Sequence, residues 1–302
     1  MGEMAETVAA LRERVRRQRP LLHHLTNMVT VNDVANATLA VGGLPVMARA
    51  LEEVTAMVES ADALVLNLGT PSREDLEAMV AAGRRANERS IPIVLDPVGV
   101  GATPFRADAA QRLLAELEVA IVRGNAGEIG ALAGMGGRLR GVEAVEGLAD
   151  PVATATALAR AHGTVVALTG ARDIVADGQR VVAVDNGHPL LKAITGAGCM
   201  ATAVVAAFAA VELDRLHAAA GGLAFFGLAA ERAASEARGP GSFRVALFDA
   251  LYRLSSEEVR AGAKIISVNV RSEPRPRGSP RQDGDCRPLR ANIVCDGDCR
   301  PL

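Results

Sequence analysis

The stretch ALVLNLGTPSREDLEAMVAAGRRANERSIPIVLDPVG, residues 63–99, decides the fold. It holds two aliphatic runs, ALVLNLG at 63–69 and IPIVLDPVG at 91–99, separated by an amphipathic segment. Neither run alternates apolar with polar residues, so each reads as a strand buried on both faces. The segment between them opens on Pro71-Ser72 with Asp75 three residues after Ser72, the spacing of a capped helix start. Strand, helix and strand in that order predict a parallel pair joined by a crossover helix.

The same alternation extends in both directions. Upstream lie LLHHLT (21–26) and PVMA (45–48); downstream lie VAIVRGN (119–125) and TVVALTG (164–170). A leading helix is predicted from Ala5 to Arg19, stopped by Pro20, and another opens at Asp150-Pro151. Between Ile174 and Val184 the Asp177-Gly178 pair joins two β-rich segments, the signature of a hairpin at the sheet's edge. From Gly198 the chain turns helical, in stretches at 199–213, 217–238 and 243–254. The fold class is therefore α/β: a mostly parallel central sheet with helices on both faces and an edge β-hairpin. One domain is expected over 1–270. Residues 271–302, rich in Pro, Arg, Gly and Asp, cannot form a core and are expected to be a disordered tail. The heptapeptide DGDCRPL occurs there twice, at 283–289 and 296–302, without the CxxC or histidine partners of a metal site.

Composition excludes several function classes. The 302 residues are 49% apolar, enough for a large core, and carry 33 basic against 35 acidic residues. A formal charge of -2 provides no overall basic field to attract nucleic acid, and one Tyr, six Phe and no Trp provide few stacking platforms. No membrane association is expected, because the longest apolar stretch, 197–211, falls short of the roughly 20 residues that span a bilayer. The first twenty residues interrupt every apolar stretch with charge, unlike a signal peptide, so a cytoplasmic protein is expected.

In open parallel sheets ligands bind at the carboxyl ends of strands. Polar residues close nearly every run here: Asn27, Asn67, Asp96, Arg123, Asn125 and Thr169, with Met47 in the second run. The most informative local feature is Ile194-Thr-Gly-Ala-Gly-Cys-Met200, a glycine turn entering an apolar helix. Unpaired amides of Gly196, Ala197, Gly198 and Cys199 at such a helix start form an anion hole. A Walker-type phosphate loop is excluded, since the chain has only two lysines, Lys192 and Lys264, and neither completes the motif. Gly196-x-Gly198-x-x-Ala201 matches a dinucleotide fingerprint only formally, lacking a long strand before it. A nucleophilic Cys199 lacks an evident base, although the helix end is expected to lower its pKa. Asn125 and Glu128, three apart at a helix start, share one face and, with Asp96, suit a hydrated Mg²⁺; equally, Asn125 suits a helix cap with Glu128 beside it. Carboxylates and an anion hole together suggest phosphoryl transfer from a nucleotide.

With these motifs assembled, the sequence resembles the hydroxyethylthiazole kinases of thiamine salvage, within the ribokinase-like superfamily, over about Leu11 to Lys264. The resemblance is carried by Leu25-Thr-Asn-Met-Val-Thr-Val-Asn-Asp-Val-Ala-Asn36, Pro45-Val-Met-Ala48, Asp96-Pro-Val-Gly-Val-Gly-Ala-Thr103, Arg123-Gly-Asn-Ala-Gly-Glu-Ile129 and Ile194-Thr-Gly-Ala-Gly-Cys-Met200. Cys199, where the superfamily usually has Asp, is similar to the thiazole kinases in particular; Gly127 departs from the serine general in that family. The resemblance implies a homotrimer with thiazole sites between subunits. It implies that Met47 and Gly196 contact the thiazole with Asn27 beside them, and that Arg123 and Thr169 contact ATP. Asp96 and Glu128 would organise Mg²⁺ and its water, and Cys199 would be a base or hydroxyl-positioner beside Gly196, Ala197 and Gly198. The rival readings are a ribokinase-like kinase of another small alcohol, of pyrimidine or pyridoxal type, a non-catalytic nucleotide-binding protein, and a cysteine hydrolase.

Overall fold

The structure is a computed structural model that describes residues 2–134, 139–140, 143–144 and 148–268, with only the backbone of 139–140 and 143–144. The expected tail and its repeated heptapeptide lie outside the described residues.

The leading helix forms as α1 (Gly2–Gln18). The first aliphatic runs become β1 (Leu21–Leu25), β2 (Leu44–Val46), β3 (Ala63–Asn67), β4 (Ile93–Asp96) and β5 (Ile121–Asn125). Between them stand α2 (Val31–Val41), α3 (Val54–Glu59), α4 (Arg73–Glu88) and α5 (Pro104–Glu116), with α6 (Ala126–Leu132) following β5. Helix α4 starts in the capping box that its sequence announces, Ser72 and Asp75 bonding reciprocally. After a small pair β6 (Leu139–Arg140) and β7 (Glu143–Ala144) come α7 (Pro151–His162), capped by Asp150, and β8 (Val165–Thr169). The hairpin follows as β9 (Asp173–Ala176) and β10 (Val181–Val184). A 3-10 turn, Pro189–Ala193, leads into α8 (Ala197–Ala209), α9 (Arg215–Glu236), α10 (Pro240–Arg253), α11 (Ser256–Gly262) and β11 (Ile265–Val268).

Nine strands form the main sheet in the order β11-β10-β9-β8-β5-β4-β3-β1-β2. The six from β2 to β8 are parallel, and β8, β9, β10 and β11 pair antiparallel. The hairpin thus forms at the antiparallel end, with β11 added outside it, a strand absent from the sequence reading.

Both faces of the sheet are covered, as apolar runs without alternation require. Leu22, Val65, Val94, Ile121 and Ala167 face one core, shared with α1, α2 and α8 to α11. Leu64, Leu66, Ile93, Leu95, Val122 and Val166 face the other, shared with α3 to α7. Because side chains alternate along a strand, Asn67, Asp96, Arg123 and Thr169 follow Val65, Val94, Ile121 and Ala167 onto the α8 side. Four polar groups at four strand ends therefore converge beneath the start of one helix.

Candidate active site

Gly196 caps α8 in a left-handed conformation (φ 82°) and offers no side chain to the helix's first amides. A Cβ there would stand 2.7 Å from the Thr30 methyl, so both conformation and space require glycine. At Gly198 a Cβ would lie 2.6 Å from Arg123 Nη1, so its absence lets the guanidinium approach the helix start. Arg123 donates to the Thr169 hydroxyl at 2.8 Å, and its Nη1 lies 3.9 Å from Asp96 Oδ1. Helix amides and guanidinium thus present positive charge to one point.

A cavity of about 420 Å³ opens from this point. Arg123, Thr169, Ala197 and Gly198 line its inner end, and Leu223 and Phe226 of α9 give it an apolar wall. Asp173, which sequence reasoning did not single out, and Lys192, one of the two lysines, also border it. Burial pushes the Asp173 carboxyl up to about 6, although the Gly170 amide donates to it at 2.9 Å.

Outside the cavity's lining, a hydrogen-bonded chain of side chains surrounds Cys199. Asn67 Nδ2 donates to Asp96 Oδ2 at 2.8 Å and to the Cys199 sulfur at 3.2 Å. Asn27 Nδ2 donates to Asn67 Oδ1 at 2.9 Å and to the same sulfur at 3.5 Å. Asn27 Oδ1 in turn receives the Thr30 amide and hydroxyl. The Thr202 hydroxyl, one helical turn after Gly198, donates to Asp96 Oδ2 at 2.9 Å. Thr202 was missed because nothing in an apolar helix marks one threonine as functional.

These surroundings correct one expectation. The Cys199 thiol is pushed up to about 11 by burial and by the nearby Asp96 carboxylate. The direction is opposite to the one expected from the helix end, and the sulfur is a protonated thiol at neutral pH.

Glu128 accepts the Asn125 amide at 2.8 Å and the Gly99 amide at 2.9 Å, while Asn125 receives the Glu128 amide at 3.0 Å. The pair is a capping box, so the structural role left open by the sequence is realised. Burial and then Asp96 push Glu128 up to about 7. Burial likewise raises Asp96, against the pull of Arg123. Asp96 Oδ1 is buried without a hydrogen-bond partner among the described residues, a carboxylate oxygen available to a hard cation. Among the described residues no group of three or more acidic, His or Cys side chains could hold a metal alone. The donor set fits Mg²⁺ with water and phosphate oxygens completing the shell.

Arg106 of α5, also unremarked in the sequence, donates to the carbonyls of Leu68, Gly69 and Val98, tying together the loops after β3 and β4. Met47 stands apart from the hydrogen-bonded group, just past edge strand β2. His23 Nε2 donates to the next carbonyl, that of Ala48, at 2.5 Å and fixes the Met47 segment against β1.

A family model described as the hydroxyethylthiazole kinase family matches residues 12–257. The chain belongs to this family. It is 61% identical over 265 residues to a hydroxyethylthiazole kinase of Chloroflexus aggregans, covering 88% of this chain and 95% of that protein. A hydroxyethylthiazole kinase of Methanoculleus marisnigri is 56% identical over 257 residues, covering 85% of this chain and 92% of its own. Among solved structures, the hydroxyethylthiazole kinase protein from Pyrococcus horikoshii OT3 superposes with a TM-score of 0.80 at 45% identity, covering 87% of this chain and 99% of that one. A Staphylococcus aureus pyridoxal kinase in complex with ADP shares the fold alone, with a TM-score of 0.51 at 16% identity over 68% of this chain and 85% of that one. The fold is thus ribokinase-like, and no helix among the described residues is long and apolar enough to cross a membrane.

Proposed function

We propose that the chain transfers the γ-phosphoryl group of ATP to the primary hydroxyl of 4-methyl-5-(2-hydroxyethyl)thiazole, a step of thiamine salvage. The observation that carries this reading is the position of the α8 start. Arg123, Ala197 and Gly198 line the 420 Å³ cavity there, and the Asn27–Asn67–Cys199 group adjoins the same helix start outside that lining. A phosphate donor in the cavity and an alcohol acceptor beside the Asn27–Asn67–Cys199 group meet at Gly196 to Cys199.

ATP occupies the cavity, its polyphosphate against Arg123 and Thr169. The amides of Ala197, Gly198 and Cys199 receive charge developing on the transferred phosphoryl oxygens. Asp96 and Glu128 would hold Mg²⁺ through oxygen and water, and the ion, when bound, neutralises phosphate charge. Phosphoryl transfer passes through a loose transition state, so early removal of the hydroxyl proton is unnecessary. A protonated Cys199 thiol is therefore suited to orienting the hydroxyl, and Asn27 to holding the acceptor beside it. ATP as donor accords with a cytoplasmic setting.

A homotrimer with the thiazole bound between subunits accounts for Met47, which has an open sheet edge beside it. Met28 and Val29 are 69% and 66% exposed, and Leu39 and Leu51 are exposed as well, all on the connections around β1 and β2. Apolar surface of this kind suits a subunit contact. Sedimentation of the full chain at three times the monomer mass is the expected result. Mass spectrometry of the thiazole alcohol incubated with ATP, Mg²⁺ and the protein tests the reaction: one added phosphate is expected, and an unmodified alcohol contradicts it.

A further inference from the structure

We propose that Lys192 binds the ATP polyphosphate, gripping the phosphates behind the transferred group. This rests on the kinase reading above and deepens it by assigning a residue to the nucleotide site.

The chain has two lysines, and they are differently placed. Lys264 is paired with Glu231 at 3.0 Å. Lys192 has no hydrogen-bond or ion-pair partner among the described residues, and it borders the 420 Å³ cavity together with Arg123, Ala197 and Gly198. Its backbone is well fixed. The 3-10 turn that carries it opens on His188, whose Nδ1 accepts the Leu190 amide at 3.2 Å. Leu190, Leu191 and Ile194 anchor the turn on the main core, and four residues after Lys192 the chain reaches Gly196.

The charge balance of the cavity gives this ammonium a task. Arg123 shares its charge with Asp96 and its hydrogen bonds with Thr169. Asp173, on the β8–β9 side, adds negative character to the cavity wall as it ionises. A nucleoside triphosphate brings several negative charges into this space, and Lys192 and Arg123 are the Lys and Arg side chains that line it. A lysine at the border, in no ion pair among the described residues, supplies a mobile point charge with three donors, which suits phosphate oxygens that shift during transfer.

The test is titration calorimetry of the full-length Lys192→Met and Lys192→Arg proteins with ATP, ADP and adenosine in Mg²⁺ buffer. Lys192→Met is expected to weaken ATP and ADP by about tenfold or more, the scale of one charge-assisted hydrogen bond, and to leave adenosine unchanged. Its ATP affinity is expected to depend less on salt, and Lys192→Arg is expected to recover most of the loss. ATP binding by Lys192→Met equal to that of the unsubstituted protein overturns this assignment and leaves the kinase reading standing. Equal loss of ATP and adenosine overturns it as well, because it signals a disturbed pocket. Failure of the unsubstituted protein to bind any of the three overturns the kinase reading together with it.

Discussion

Asn67 and Asp96, opposite each other on neighbouring strands β3 and β4, are joined by a 2.8 Å hydrogen bond from the amide to the carboxylate. The second amide hydrogen of Asn67 goes to the Cys199 sulfur, so one side chain sets the distance between the Asp96 carboxylate and the Cys199 thiol.

Replacing Asn67 with Leu removes both donors and leaves Asp96 Oδ2 with the Thr202 hydroxyl. The Gly69 amide also loses its acceptor, Asn67 Oδ1, and a polar group left unpaired on folding costs about 1–3 kcal/mol, which urea unfolding should detect. Turnover is expected to fall as well, by about tenfold or more, since about 1.4 kcal/mol of misplaced transition-state contact is tenfold. A variant equally destabilised but fully active would separate Asn67 from the site.

Gly198→Ala puts a methyl group 2.6 Å from Arg123 Nη1. The guanidinium is the end of a flexible side chain, so it moves aside and the fold survives nearly unchanged. Displaced from the helix start, it would lose the phosphate contact proposed for it. The expected result is a melting temperature within a few degrees of the unsubstituted protein's and ATP binding weakened about tenfold. Unchanged ATP affinity would show that Arg123 has no part in it.

Glu128 is held near 7 in the folded chain against an ordinary value of 4.5. Between those pH values the folded chain keeps a proton that the unfolded chain releases. The contribution of this group to stability is therefore full below 4.5 and is lost as pH rises through 7. Glu128→Gln should lack this slope when unfolding is compared across the window. A bound cation favours the ionised form, so Mg²⁺ affinity should rise with pH through the same range in the unsubstituted protein. A Mg²⁺ affinity independent of pH there would remove Glu128 from the metal site.

With its thiol pushed up to about 11, Cys199 should react slowly with iodoacetamide at neutral pH compared with an ordinary cysteine. Cys199→Ala is expected to lower kcat through lost positioning while leaving the pH dependence below about pH 9 unchanged. An ionisation near 8 that vanishes in the alanine variant would identify the sulfur as a working base.

Much of this site was legible in the strand ends. Asn67, Asp96, Arg123 and Thr169 each follow an aliphatic run, and the period of two along a strand sends all four to the α8 side. Gly196 and Gly198 announced themselves as a turn into a helix, although the Arg123 contact that requires the second glycine is tertiary. Thr202 and Arg106 were not legible, because each matters through partners far away in sequence: Asp96 for one, three loop carbonyls for the other. The Cys199 thiol was read in the wrong direction for a related reason. A helix start is visible in sequence, whereas the burial and the neighbouring carboxylate that raise the thiol arise only on folding. Strand β11 was missed because Ile265–Val268 is a four-residue run just before a polar tail, too short to register as a strand.

The central claim is the identity of the acceptor. It is tested most directly by ADP release from ATP and Mg²⁺ with four alcohols offered separately: the hydroxyethylthiazole, a hydroxymethylpyrimidine, pyridoxal and ribose. Rapid ADP release is expected with the thiazole and background release with the other three. Faster release with the pyrimidine, pyridoxal or ribose than with the thiazole, or no release with any of them while ATP binds, would contradict it.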